Sequence, residues 1–289
     1  MNKINTYIIP TLNNYKGLAR LLETLKKYTD PNYKVIVVNN GYSLPTDPGM
    51  VKFREIFNEV DIWINPIRNL GFGKAMNTGI KLADTEFVTI ANDDVEIMYS
   101  GWWEEIMDMF EEDPKLGGFN PHSPCNKAAD GNRYKQYDYK EEYTKEDIVK
   151  MKEIFNKERQ YTGCCTYFTI CRKAMFDSVG LFDESFGLGS GEDYDLCVRA
   201  MRGDWYVKGG STTMVWHWWG DTKDNMPEGG ESNYNLIVGG NQNMERKWGK
   251  HIDKDPQGWS VSGRGGPDEP FDKDKVDYKD KKWYQEVPI

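Results

Sequence analysis

The sequence predicts an α/β protein with a mainly parallel central sheet flanked by helices, and three observations carry the prediction. Strand-like and helix-like segments alternate through the first half of the chain, as they do where parallel strands are joined by crossover helices. The run Val35-Ile36-Val37-Val38 is apolar without alternation, the pattern of a strand covered on both faces. Several strand ends pass into polar, glycine-rich or acidic turns, and in open α/β sheets ligands bind outside the carboxyl ends of strands.

Taken in order, Ile4 to Ile9 reads as the first strand, stopped by Pro10, which lacks an N–H for the ladder. Tyr15 to Tyr28 carries Leu18, Leu21, Leu22 and Leu25 at helical spacing. Tyr33 to Val38 is the second strand, Val51 to Asn58 a short helix, Asp61 to Asn65 a third strand and Gly73 to Ala83 a helix. Phe87 to Ala91 is the fourth strand and ends in Asn92-Asp93-Asp94. Trp102 to Phe110 is helical and is closed by Asp113-Pro114. The charged, tyrosine-rich stretch 126–160, with one helix near Glu146 to Lys157, reads as an inserted surface segment, a lid being its functional alternative. A strand at Tyr167 to Cys171, helices at Lys173 to Val179 and Glu192 to Arg202, and a strand at Ser211 to Trp216 follow. Beyond Gly220 the chain is rich in Gly, Asp, Lys and Pro, with one helix near Asn241 to Trp248.

Composition narrows the function. The 289 residues are 38% hydrophobic and 29% charged, enough for one sizeable core with an appended tail. The net charge of −9 argues against non-specific attraction to nucleic acid or anionic lipid. No apolar run approaches the roughly 20 residues of a membrane-spanning helix. Met1-Asn2-Lys3 leads straight into a strand rather than into a leader with a basic then apolar character. The expectation is a cytoplasmic protein, with peripheral contact to a membrane left open through a lipid-linked acceptor. Cys125, Cys164, Cys165, Cys171 and Cys197 are odd in number and lack metal or redox spacing, so they read as small, reduced, buried side chains. With three histidines in the chain, a metal would rest mostly on carboxylates.

Four clusters carry candidate chemistry. Asp93 and Asp94 follow an apolar strand, and adjacent carboxylates repel unless a cation or donors compensate them. Hard divalent cations take oxygen ligands and complete their shell on a diphosphate. Taken alone, the triplet reads equally as a helix-capping turn. Gly187-Leu188-Gly189-Ser190-Gly191 leads into a helix whose first turn holds Glu192, Asp193 and Asp195, either as favourable capping charge or with one carboxylate as a general base. His217 follows a strand and precedes Trp218 and Trp219, a core segment or a sugar-stacking wall. Arg68 to Gly79 opens a helix with Gly71, Gly73 and Lys74, a plausible phosphate approach without the spacing of a dinucleotide or P-loop motif.

In this order the pieces resemble the family 2 glycosyltransferases of the GT-A fold, in particular the rhamnosyltransferase-like branch. The matching segments are Ile9-Pro10-Thr11-Leu12-Asn13-Asn14, Val35 to Gly41, Asn69-Leu70-Gly71-Phe72-Gly73 with Asn77-Thr78-Gly79, and Asn92-Asp93-Asp94. Gly180 to Phe186, then Glu192-Asp193-Tyr194-Asp195-Leu196 with Arg199, and finally His217 complete the series, over about the first 220 residues. The resemblance implies a catalytic domain over 1–220, with a Rossmann-like nucleotide-sugar half at 1–118 and an acceptor half at 119–220, and a C-terminal extension at 221–289. It implies an inverting, metal-dependent transfer of a sugar from a nucleotide-diphosphate sugar to a hydroxyl of a glycan, lipid-linked or protein-linked acceptor. Pro10, Thr11, Asn13, Asn39 and Arg68 would line the base and ribose pocket, with Gly71, Lys74, Asn77 and Asn92 also on the nucleotide. Asp93 would approach the ribose or the metal, while Asp94 and His217 would hold Mn²⁺ or Mg²⁺. Asp193 would be the base, Glu192 the alternative, and Trp218 and Trp219 an acceptor wall.

The family usually carries Asp where this chain has Asn39, and Asn accepts a base N–H without a charge, so UDP, dTDP and GDP donors all stay open. A homodimer surface is one reading of the aromatic-rich C-terminal region. Two other functions compete: a sugar nucleotidylyltransferase, which would open with a glycine- and lysine-containing phosphate loop where Pro10 to Asn14 stands, and a non-catalytic nucleotide- or glycan-binding module of the same fold.

Overall fold

The computed structural model describes residues 4–41, 57–127, 133–135, 137–155, 161–162, 167–218 and 233–248. Its first half is built from β1 (Asn5–Thr11), α1 (Tyr15–Tyr28), β2 (Tyr33–Asn39), β3 (Ile62–Ile64), α2 (Phe72–Leu82) and β4 (Phe87–Ala91). These four strands run parallel in the order β3-β2-β1-β4, so the segments after β1, β2 and β4 emerge side by side on one edge. Strand β1 does not stop at Pro10, which stays in register with Val38. Pairing with β4 ends at Ile8, and this leaves room for the missing Pro10 N–H. The helix expected over Val51 to Asn58 falls mostly outside the described residues, of which Phe57–Glu59 form a single 3₁₀ turn.

The second half adds β5 (Val95–Ile97), α3 (Trp102–Glu112), β6 (Leu116–His122), β7 (Cys125–Lys127), β8 (Arg133–Lys135), α4 (Lys145–Phe155), β9 (Tyr161–Thr162), β10 (Phe168–Arg172), α5 (Lys173–Val179), α6 (Glu192–Arg202), β11 (Tyr206–His217) and α7 (Asn233–Trp248). The sheet continues from β4 through β10, β6 and β11 to β5, with β9 against β11. Strand β10 is antiparallel to both neighbours, and β5 is antiparallel to β11. Strand β6 is absent from the sequence reading because Gly117, Gly118 and Pro121 weaken any strand pattern. The structure needs that small size, because a Cβ at Gly118 would stand 3.2 Å from both Cys171 Sγ and Val207 Cγ1.

Two apolar layers enclose the sheet. One holds Leu18, Leu22, Trp102, Ile106 and Phe110 against Tyr7, Val35 and Phe168. The other holds Met76, Ile80, Phe176 and Leu196 against Ile8, Val88 and Ile90. The stretch 126–160, expected as a surface insertion, is tied to the first layer over its described part: Ile148 and Met151 are buried and Tyr137, Tyr139 and Tyr143 pack against that core. Tyrosine permits this, because its ring buries apolar area while its hydroxyl reaches a polar partner. Cys125, Cys171 and Cys197 are buried, while Cys164 and Cys165 lie outside the described residues. Among the described residues no helix is long and apolar enough to cross a membrane.

Candidate active site

The site is built where β1, β2, β4 and β11 end. After β4 the chain turns through Asn92-Asp93-Asp94 and re-enters the sheet as β5, which pairs Val95 with His217 and Glu96 with Trp216. That register carries Asp94 across to the end of β11: its carbonyl oxygen accepts the Trp218 N–H at 2.9 Å, and its carboxylate Oδ1 lies 3.0 Å from His217 Nε2. Both side chains are buried. The imidazole is stacked on the Tyr167 ring at 4.6 Å, and the Tyr167 hydroxyl donates to the Pro121 carbonyl. Two residues about 120 positions apart in sequence therefore form one oxygen–nitrogen pair at the sheet edge.

Asp93 points elsewhere. Its Oδ1 accepts from Asn14 Nδ2 at 3.1 Å, while Asn14 Oδ1 caps α1 by accepting the Gly17 N–H. Asn14 thereby joins the β1 and β4 ends, and it belongs to a quoted motif that assigned it no role. Thr11 at the end of β1 is buried, and its hydroxyl meets no partner among the described residues. Asn13 adopts a left-handed backbone with φ of 61°.

Asn39 differs from the expected base reader. Its Oδ1 already accepts from the Tyr15 hydroxyl at 3.1 Å and from the Gly41 N–H at 3.2 Å, and its amide donates to Asn65 Oδ1 at 2.9 Å. With two donors on one carbonyl oxygen its acceptor capacity is filled, so Asn39 braces the β2 and β3 ends instead of presenting a free oxygen to a base. Asn77 is also engaged within the fold: its amide brackets the Phe182 backbone, donating to the carbonyl at 2.8 Å and accepting the N–H at 2.9 Å. Buried, it clamps α2 to the Gly180 turn. Lys74 lies 3.4 Å from Glu184 Oε2 and stays half-exposed, Arg68 and Pro10 are accessible, and Asn92 is anchored by its N–H on the Tyr167 carbonyl.

Gly71 brings the third group to this edge. Asn40 accepts the Leu70 N–H and donates to the Gly71 carbonyl, and the Phe72 N–H donates to Leu188 at 3.0 Å. Gly71 has a φ of 76°, and a Cβ there would overlap the Gly187 carbonyl, so only glycine fits. This contact sets the 187–191 turn and the start of α6 against the start of α2. Glu192 is buried there, and its Oε2 meets no partner among the described residues. Burial raises its pKa, and the Asp193 charge raises it further. Asp193 is half-buried, accepts the Tyr194 N–H at 3.0 Å, and is also raised by burial.

Trp218 departs from an open acceptor wall. Its indole N–H donates to Glu96 Oε1 at 2.6 Å, its ring lies under Arg20 at 4.8 Å, and Tyr139 packs against it at 4.8 Å. Glu96 is itself buried and takes Arg20 Nε at 3.1 Å and the Tyr139 hydroxyl at 2.9 Å. The ring is thus an anchor for the end of β11. Trp219 lies outside the described residues. Neither Glu96 nor Tyr167 had a sequence signal beyond lying near Asp94 or in a strand.

Among the described residues no three His, Cys, Asp or Glu side chains gather into a closed metal cage. The Asp94–His217 pair fits a cation that keeps open positions, because Mg²⁺ and Mn²⁺ commonly take one or two protein ligands and complete the shell with phosphate oxygens and water.

A mixed sheet whose parallel strands end beside a buried acidic–imidazole pair is the architecture of the GT-A class of proteins. The sequence model of glycosyl transferase family 2 matches residues 6–180, and the chain belongs to that family. The comparisons assign the family and not the rhamnosyltransferase-like branch within it. Among relatives, it is 27% identical over 197 residues to a pre-mycofactocin glycosyltransferase of Mycobacterium tuberculosis, covering 68% of this chain and 39% of that protein. It is 25% identical over 229 residues to the uncharacterised glycosyltransferase YwdF of Bacillus subtilis, covering 75% of each. The chain thus spans about two fifths of the length of the first of these relatives. Among solved structures it resembles GalNAc-T7 with UDP, GalNAc and Mn²⁺, at a TM-score of 0.59 and 12% identity, over 85% of this chain and 48% of that one. It also resembles the mannosyltransferase PcManGT of Pyrobaculum calidifontis in complex with GDP-Man and Mn²⁺, at 0.54 and 13%, over 75% and 57%.

Proposed function

We propose that this chain transfers a sugar from a nucleotide-diphosphate sugar to an acceptor hydroxyl in one inverting displacement. The observation that carries the reading is the buried Asp94–His217 contact standing on the same sheet edge as the carboxylate pair that opens α6. Asp94 and His217 would hold a divalent ion, which would supply charge stabilisation for the leaving diphosphate. One imidazole in the ligand set favours Mn²⁺ over Mg²⁺. Family membership and the Mn²⁺ bound by GalNAc-T7 and PcManGT support the same ligand chemistry.

Asp193 takes the proton of the acceptor hydroxyl as that oxygen bonds the anomeric carbon. The bond from that carbon to the diphosphate breaks on the opposite face, and the nucleoside diphosphate leaves with the electron pair. Glu192 stays protonated beside Asp193, because ionising both adjacent carboxylates is disfavoured. Thr11, whose buried hydroxyl meets no partner among the described residues, and the accessible Pro10, Asn13 and Arg68 border the nucleoside side of the edge.

The test is a thermal-shift screen of UDP, GDP and dTDP with and without Mn²⁺, followed by calorimetry and a donor-hydrolysis panel. One nucleoside diphosphate should raise the melting temperature only with metal, because a ligand that binds the native state stabilises it by mass action. Asp94→Ala should abolish the metal-dependent part of the affinity. Metal-independent binding, or unchanged affinity in Asp94→Ala, would overturn the metal role. Binding without any hydrolysis or transfer would favour the non-catalytic module.

A further inference from the structure

We propose that α7, through Lys247 and the seat at Gly240, is a positioning element for the Glu192–Asp193 turn, so that the catalytic unit includes a helix beyond the residues 6–180 matched by the family. The inference rests on the proposed function for the role of that turn, while the clasp itself stands on contacts. Lys247 Nζ lies 2.7 Å from Asp183 Oδ2 and 2.7 Å from Asp195 Oδ1, so one cation ties both ends of the 183–195 segment. Trp248, fully buried, donates its indole N–H to Asp195 Oδ1 at 2.9 Å, and Arg199 Nε donates to Asp195 Oδ2 at 2.9 Å. Asp195 is fully buried, two residues beyond the proposed base and on the same first helical turn.

Between the two anchors the backbone is unfavourable. Gly187, Ser190 and Gly191 all have positive φ, and the value of 83° at Ser190 belongs to a residue with a side chain. Such a turn persists only when its surroundings over-determine it. The surroundings are α7 on one side and Gly71 on the other. Gly240 lies so close that a Cβ would overlap the Ser190 carbonyl, and a Cβ at Gly191 would stand 3.3 Å from the Gly240 carbonyl and 3.2 Å from Met244. Lys247 donates no group to the reacting atoms. It holds the turn from which Glu192 and Asp193 project.

The experiment compares wild type with Lys247→Met, Lys247→Arg and, as a control from the exposed face of the same helix, Arg246→Met. Donor turnover is measured on UDP-glucose, UDP-N-acetylglucosamine, GDP-mannose and dTDP-rhamnose with Mn²⁺, and amide hydrogen exchange is followed by segment. Lys247→Met should lower kcat about ten- to a hundredfold, as expected when reacting groups shift by less than an ångström or so. KM and the affinity for the nucleoside diphosphate with Mn²⁺ should stay within about twofold, because the nucleotide edge is untouched. Lys247→Arg should restore most of the rate, and Arg246→Met should change nothing. Exchange should quicken at 184–195 and stay constant at 5–11 and 87–94. An unchanged kcat in Lys247→Met, or an equal loss of kcat and nucleotide affinity, would overturn the inference. If wild type turns over no donor, the proposed function fails instead, and exchange alone decides the clasp: selective quickening at 184–195 supports it, while uniform or absent change overturns it.

Discussion

Glu192 and Asp193 are adjacent carboxylic acids that the fold has made unequal. Burial raises both, and Glu192 is raised further by the charge of Asp193, so the two titrate as one pair that resists double ionisation. In the proposed reaction Asp193 is the ionised member of the pair. Asp193→Asn should therefore cost about 10²–10⁴-fold in transfer while nucleoside diphosphate affinity stays constant, and turnover at the wild-type rate would remove Asp193 from the role. Glu192 makes a prediction about stability. An acid whose folded pKa is raised contributes stability that is complete below the ordinary carboxylate range, about pH 4.5, and is lost as pH rises through the raised value. Wild type should thus lose stability on going from mildly acidic to mildly basic pH, and Glu192→Gln should flatten that decline. Urea midpoints across the range measure it, and parallel curves for the two proteins would contradict the assignment. The sequence exposes the pair but not this inequality, since both residues look like ordinary first-turn charges of a helix.

At the scale of elements, the clearest case is the junction of α2 with the turn before α6. Asn77 lies on the buried face of α2 and satisfies both backbone groups of Phe182, 105 residues away. Asn77→Ala should destabilise the fold by about 1–3 kcal/mol, the cost of leaving buried backbone groups unpaired, and leave nucleotide binding intact. Chemical denaturation with parallel calorimetry checks this, and lost nucleotide affinity without lost stability would return Asn77 to the nucleotide site. Helices α1, α5 and α6 and strand β4 match the sequence reading residue for residue, because apolar spacing, an unbroken apolar run or bounding glycines mark each one. Strand β5 was invisible, being three residues long with Glu96 at its centre. That carboxylate is buried only because Arg20, Trp218 and Tyr139 converge on it from three other segments. Its register with β11 nonetheless places Asp94 beside His217.

Across the whole molecule, the C-terminal region reaches back to the turn before α6 over 233–248, where Lys247 joins Asp183 to Asp195. Burial acts to raise the Asp183 carboxyl, but the Lys247 and Ser185 hydrogen bonds outweigh it and bring it down to about 2. A depressed folded pKa contributes stability that is present above the unfolded value, about 4, and lost as pH falls through the folded one. The docking of α7 should therefore weaken between about pH 4 and pH 2, before the parallel strands open. The measurement is hydrogen exchange at 239–248 against 5–11 over that range, with Lys247→Met removing the difference. Simultaneous loss of both segments would show that the ion pair has no local effect.

From its residues alone the chain is an α/β protein of the GT-A kind with acidic turns at the ends of its strands, because apolar periodicity and turn chemistry are local properties written along the backbone. The candidates for the site were equally local where a motif named them: Asp93, Asp94, Glu192, Asp193 and His217 all stand in turns or at strand ends that the sequence marks. Their tasks were not legible there. Whether an Asn reads a ligand or braces a strand depends on what has filled its oxygen, and for Asn39 and Asn77 the fillers come from other elements. Whether a tryptophan stacks on a sugar or anchors a strand depends on which side chains already cover its ring, as Arg20 and Tyr139 cover Trp218. Those are long-range contacts, created only when the sheet closes and distant segments meet, and tertiary packing alone decides them.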